Sequence, residues 1–213
     1  MDEIDKQMIA NLFECIYEEN IEFLDTYDFN NTNIWDMKMT DELMEKYDYR
    51  TNKISVTPLG FAIYCYATEY DRPGLLKTIE YIIKNTSFTV DLQNELNRTM
   101  LQEISGYIDD IHNYCLQYSE CFKDEMENDK PVYITRGKQH ELDERTKHYT
   151  IFMEQHKQKI INLRYIKKLL KQKKEIPQPL FIEIAANLKK NIFDAVNSIF
   201  TPAYRREEYN VNV

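Results

Sequence analysis

The sequence predicts an all-α protein built from stacked helix pairs, and three observations carry that expectation. Glycine is scarce, with four residues in 213 (Gly60, Gly74, Gly106 and Gly137). Tight hairpins of the primed types need φ > 0, so so glycine-poor a chain makes few of them. Hydrophobic residues make up 43 % and aromatics 13 %, enough for a packed core, which excludes a disordered acidic polymer. Segment after segment also shows apolar residues at the 3.6-residue spacing of a helix face.

Taken in order, the first helix is predicted over about Lys6–Tyr17, where Met8, Ile9, Leu12, Phe13, Ile16 and Tyr17 share one face. Glu18-Glu19-Asn20 breaks the pattern, a short helix follows over Ile21–Tyr27, and the turn-formers Asp28 to Asn33 close the unit. A second unit opens at Thr57-Pro58, with Thr57 as N-cap and Pro58 at the first helical position, where no donor is needed. Its helices are expected over Leu59–Tyr70 and Leu75–Lys84, joined by the turn Asp71-Arg72-Pro73-Gly74. Phe88 to Asp91 reads as short and extended. A third start at Thr99-Met100 leads into a long helix to about Met126, and the charged stretch 123–146, with Pro131 and Gly137, reads as a loop or insertion. Tyr149–Lys174 reads as a long helix, followed by shorter ones over Leu180–Leu188 and Ile192–Phe200 and a polar tail from Thr201.

Three of these openings are similar to one another, which is the mark of a repeat. Thr57-Pro58-Leu59-Gly60-Phe61-Ala62 resembles the Thr-Pro-Leu-His-x-Ala opening of an ankyrin repeat, with Gly60 where the motif has histidine. Thr99-Met100-Leu101-Gln102-Glu103-Ile104 resembles a degraded copy, and Pro179 to Ala186 a looser one. Asn20 to Leu24 resembles the start of an ankyrin second helix, and Asp28-Phe29-Asn30 the Asp-x-Asn that follows it. The Thr57 and Thr99 openings lie 42 residues apart, longer than the usual repeat of about 33. The resemblance implies an ankyrin-like solenoid with a long helical insertion; the alternative is an irregular helical bundle. The organisation expected is ankyrin-like helix pairs over 1–106, long helices with a charged insertion over 107–176, a C-terminal helix pair over 177–200 and a loose tail over 201–213.

Charge is unevenly spread along a chain of net charge −9. Residues 1–50 hold fourteen acidic side chains against four basic ones. Residues 155–174 hold eight lysines and arginines and no acid. Such polarity steers partners of opposite sign. The acidic N-terminus is no signal peptide, and no run of about 18 apolar residues marks a membrane span. Cys15, Cys65, Cys115 and Cys121 lack metal-site spacing, so free thiols in a cytoplasmic setting are expected.

No catalytic site, metal site or cofactor is read from the sequence. His140-Glu141-Leu142-Asp143-Glu144 begins like a zinc-protease helix, but Glu144 stands where the second histidine is needed. His140, His148 and His156 recur every eight residues, which on a helix advances about 80° past two turns and spreads them over the surface. His112 and Cys115 fall on adjacent turns, though a buried cysteine is the simpler reading. No nucleotide-binding loop or serine elbow appears.

The functional expectation is a protein-binding module, as ankyrin families bind through loops and a concave helical face. The Asn-, Ile-, Lys- and Tyr-rich background resembles viral or bacterial host-directed ankyrin proteins, which implies an effector acting in host cytoplasm. Candidate partner-binding residues are Tyr27, Phe29, Trp35, Tyr70 and Arg72 in two expected loops, with core filling as the other reading of Trp35. The alternative function is nucleic-acid binding by the basic helix 157–174, through the patch Lys167, Lys168, Lys171 and Lys174. The acidic balance of the whole chain disfavours it.

Overall fold

In the computed structural model, which describes residues 3–26, 33–47, 57–69, 72–86, 88–93, 97–128 and 136–173 with Leu188 and Ile192, every regular element is helical. Helix α1 (Glu3–Tyr17) buries Ile9, Leu12, Phe13 and Ile16, the face its spacing sets. It ends in a Schellman turn: the Asn20 N–H donates to the Cys15 carbonyl at 2.9 Å and the Glu19 N–H to that of Ile16 at 3.1 Å. Glu19 holds the left-handed position there at φ 60°, a place usually given to glycine. Asn20 Oδ1 then accepts from the Phe23 N–H at 3.1 Å and starts α2 (Ile21–Thr26).

A 3-10 turn at Asn33–Asp36 plants Ile34 and Trp35 in the core, with Trp35 only 2 % exposed. Asp36 accepts from both the Thr89 N–H and the Thr89 hydroxyl at 2.6 Å, which ties this segment to the loop after the fifth helix. Thr40 caps α3 (Asp41–Lys46), whose Leu43 is buried. Neither the turn nor α3 was expected from the sequence.

Helix α4 (Pro58–Thr68) starts as read, with Thr57 Oγ1 accepting from the Gly60 N–H at 3.2 Å and Pro58 in the first turn. Leu59, Phe61, Ala62, Ile63, Cys65, Tyr66 and Ala67 are all buried, so α4 is apolar nearly all round and lies at the centre. Helix α5 (Pro73–Asn85) is amphipathic and buries Leu75, Thr78, Ile79, Ile82 and Ile83. Past α5, Val90 and Asp91 form a turn rather than the short extended stretch expected, closed by the Leu92 N–H on the Thr89 carbonyl at 3.3 Å. Gln102 reaches back to the Thr99 N–H at 2.8 Å, one arm of a capping box, and opens α6 (Met100–Asn128).

Helix α7 (Arg136–Lys173) corrects the reading of 123–146 as a loop, because α6 runs to Asn128 and α7 begins at Arg136. The charges that suggested a loop lie on solvated flanks and pair one turn apart, as Arg145 does with Glu141 at 2.8 Å. The inner seam of this arm is aromatic: Tyr118 meets Phe152 and Phe122 meets Tyr149, each with ring centroids 4.1 Å apart. At about 1.5 Å per residue the two helices are roughly 43 and 57 Å long, far longer than the others. The division expected at residue 106 falls inside α6.

The helices pack as pairs. Helix α1 packs on α2, α4 on α5 and α6 on α7; between pairs, α4 touches both α1 and α6, while α5 touches both α2 and α7. A single core cluster runs from Ile9 through α4 and α5 to Leu170 and Ile192. At the first seam Arg72 donates to Glu19 at 2.6 Å, to Glu69 at 2.7 Å and to the Tyr17 carbonyl, and its guanidinium lies over the Tyr17 ring. A β-carbon on Gly74 would meet the Glu19 carboxylate at 1.7 Å, so glycine leaves room for this ion pair.

Arg72→Met is expected to destabilise the fold by about 2 kcal/mol, since it strips charge-assisted bonds from a partly buried seam. Lys46→Met breaks an exposed pair with Glu14 and a cation–π contact with Tyr47 at 5.3 Å, and is expected to change stability by less than about 1 kcal/mol. Urea unfolding of the two variants checks the contrast, and equal losses would contradict it.

Candidate partner-binding surface

The basic run of the sequence lies on the C-terminal half of α7, and the fold divides it into two uses. Lys159 donates to the Glu69 carbonyl at 2.5 Å and the Ala67 carbonyl at 3.4 Å, at the C-terminal end of α4. Lys173 donates to the Thr86 carbonyl at 2.6 Å and to that of Ile83, at the C-terminal end of α5. The last carbonyls of a helix lack partners within it and carry the negative end of its dipole, so an ammonium answers both needs. The two lysines are fourteen residues apart, four turns or about 21 Å along α7, and so α7 runs beside α5 in the same direction. Burial pushes the Lys159 ammonium down from its ordinary value, against an opposing pull from Glu69, and pushes Lys173 down to about 8. Between them, Asn162 donates to the buried Tyr66 hydroxyl at 2.6 Å and accepts from Gln158 at 3.0 Å.

Four further cations of the run face α6. Arg164, Lys167, Lys168 and Lys171 fall at i, i+3, i+4 and i+7, one face of the helix. They line an open groove of about 460 Å³ floored by Ile108 and Ile192, with Ser105 and Asp109 on the α6 side. Lys167 donates to Ser105 Oγ at 2.5 Å. Lys168 and Lys171 are exposed, and Arg164, Lys168 and Lys171 have no carboxylate within ion-pair distance among the described residues.

The structure thus brings Lys167, Lys168 and Lys171 together, while Lys174 lies outside the described residues. Of the expected loop residues, Tyr27, Phe29 and Tyr70 also lie outside them. Trp35 is in the core, and Arg72 is engaged in the seam between the first two pairs. Arg164, Ser105 and Asp109 were missing from the sequence-derived patch. Arg164 was visible there as the i−4 neighbour of Lys168, whereas Ser105 and Asp109 come from another helix and carry no local signal.

Cys115 is buried and its thiol is pushed up to about 11 by burial, so it holds its proton at neutral pH. His140 and His148 are exposed, but His156 is 3 % exposed, which corrects the expectation of three surface histidines. Its Nδ1–H donates to the Phe152 carbonyl at 2.8 Å, and its ring packs on Phe152 and Tyr114, with burial lowering its pKa. Among the described residues no group of three or more His, Cys, Asp or Glu is placed to hold a metal ion, and no helix is long and apolar enough to cross a membrane.

Lys173 gives a pH dependence of known sign. Its folded value of about 8 lies below the unfolded 10.5, so between these values the unfolded chain binds more protons and stability rises with pH. The contribution is full above about pH 10.5 and is lost as pH falls through about 8. The stability difference between the native protein and Lys173→Met, measured by denaturant unfolding, is expected to shift in favour of the native protein from pH 8 to pH 10; a flat difference would show that the ammonium is not desolvated.

Compared with known proteins, the chain matches no family model, no curated sequence and no solved structure.

Proposed function

We propose that the chain is a protein-binding module, a short ankyrin-like stack of helix pairs that holds a charged groove in fixed geometry for a partner. The observation that supports this reading is the order of packing: first helices touch in the order α1, α4, α6 and second helices in the order α2, α5, α7, with α1 reaching across to α5 as well. An amphipathic helix pair cannot bury its apolar side alone, and stacking neighbours gives one continuous core with the outer rows left for recognition. The third pair fits the scheme as an elongated unit, with the N-terminal half of α6 and the C-terminal half of α7 in the stack and its aromatic-seamed end beyond it.

Affinity purification of the tagged chain from the cells in which it naturally occurs, followed by size-exclusion chromatography, tests the reading. A protein that co-elutes in fixed stoichiometry is expected. Recovery of the chain alone, or a complex that dissolves on nuclease treatment, would contradict it.

A further inference from the structure

The groove between α6 and α7 has a charge pattern that selects among partners. Several basic side chains elsewhere among the described residues are already answered: Lys84 by Glu80 at 3.1 Å, Arg145 by Glu141, Lys157 by Glu154 at 3.3 Å, and Lys159 and Lys173 by helix C-termini. In the groove, three cations on one helix face have no carboxylate within ion-pair distance among the described residues, with Asp109 lining the opposite side, and the fourth, Lys167, donates to a serine hydroxyl. Packing like charges on adjacent turns is unfavourable, and an acidic chain has carboxylates in abundance to relieve it. A cationic face that no described carboxylate pairs, beside an apolar floor, is the complement of an acidic segment that also carries apolar side chains.

We propose that this groove binds an acidic, apolar-interleaved peptide segment of a partner protein. The inference rests on the protein-binding reading and names its partner chemistry. The cationic face from Arg164 to Lys171 is about 10 Å long. An extended strand rises about 3.3 Å per residue and turns alternate side chains to one side. Two carboxylates two residues apart, about 7 Å, therefore span the cations, while the residue between them turns to the other side, toward Ile108 on α6. Asp109 on the facing helix sets the polarity: it repels a uniform polyanion and leaves the α7 side as the place for acid. Nucleic acid fits less well. No aromatic side chain lines the groove among the described residues, so bases have no stacking platform there, and the chain carries a net −9.

The test is fluorescence anisotropy on the full chain with a short labelled peptide of alternating glutamate and leucine, its glutamine counterpart, and single-stranded oligouridylate. The glutamate peptide is expected to bind, with affinity falling as salt rises. The double variant Lys168→Glu/Lys171→Glu is expected to weaken it at least about tenfold, or about 1.4 kcal/mol. Both residues are exposed, so the variant's unfolding midpoint should stay at the native value; a neutral Lys168→Gln/Lys171→Gln variant, expected to weaken binding by less, guards against a folding defect. No binding of the glutamate peptide, equal binding of the glutamine peptide, an unaffected charge-reversal variant, or tighter binding of oligouridylate would each overturn the proposal. A natural partner whose capture survives the charge reversal would remove the groove while leaving the protein-binding module in place; peptide binding without a captured partner would do the opposite.

Discussion

The arrangement depends on one constraint, which is that α4 is apolar on nearly every side. Phe61 meets Phe13 of α1 at 5.4 Å, Tyr64 meets Tyr107 of α6 at 6.3 Å, and Tyr66 is bonded to Asn162 of α7. A helix of this kind has no solvent face of its own, so it is stable only when neighbours close around it. Each large buried side chain contributes about 1.5–3 kcal/mol on leaving water, and that gain exists only when the pairs on both sides are in place. Pair stacking therefore follows from the composition of one eleven-residue helix. The amphipathic α1 and α5 and the C-terminal half of α7 supply the complementary faces.

Helix α7 links the architecture to the proposed recognition. Its acid-free stretch has two jobs, and geometry separates them. Lys159 and Lys173 turn inward to the carbonyl ends of α4 and α5, which fixes the axial position of α7 against the stack. Arg164, Lys168 and Lys171 lie toward α6 and keep their charge available. The same anchoring that stabilises the helix pairs thus sets where the cations stand; for the partner proposed above, cations held on a rigid helix would lose little freedom on binding.

How far the fold was legible depends on whether a signal was local. Thr57-Pro58 and the apolar spacing of Ile9, Leu12, Phe13 and Ile16 state their helices within a few residues, and the structure has them there. The stretch 123–146 misled because a two-helix arm exposes most of its surface, so its composition resembles a loop; the informative signal was the four-residue spacing of Tyr114, Tyr118 and Phe122. The segment 33–47 was missed because its 3-10 turn and single-turn helix are too short to show a period. Arg72 looked like an exposed loop residue, yet Glu19, its partner, is 53 residues away, a pairing that exists only once the stack forms. The charge of the α7 groove was readable in the sequence, but the two uses of its lysines were not, since helix C-termini brought together by folding decide which lysines are consumed.

Hydrogen exchange by mass spectrometry on the full chain tests the central claim, that the pairs share one core around α4. Amides of α4, α5, the inner part of α1 and the C-terminal half of α7 are expected to exchange at one common free energy equal to that of global unfolding, while the outer ends of α6 and α7 open earlier. Exchange of α1 and α2 at a much lower free energy than α4, with α4 still protected, would show that the helix pairs stand independently and would contradict the account.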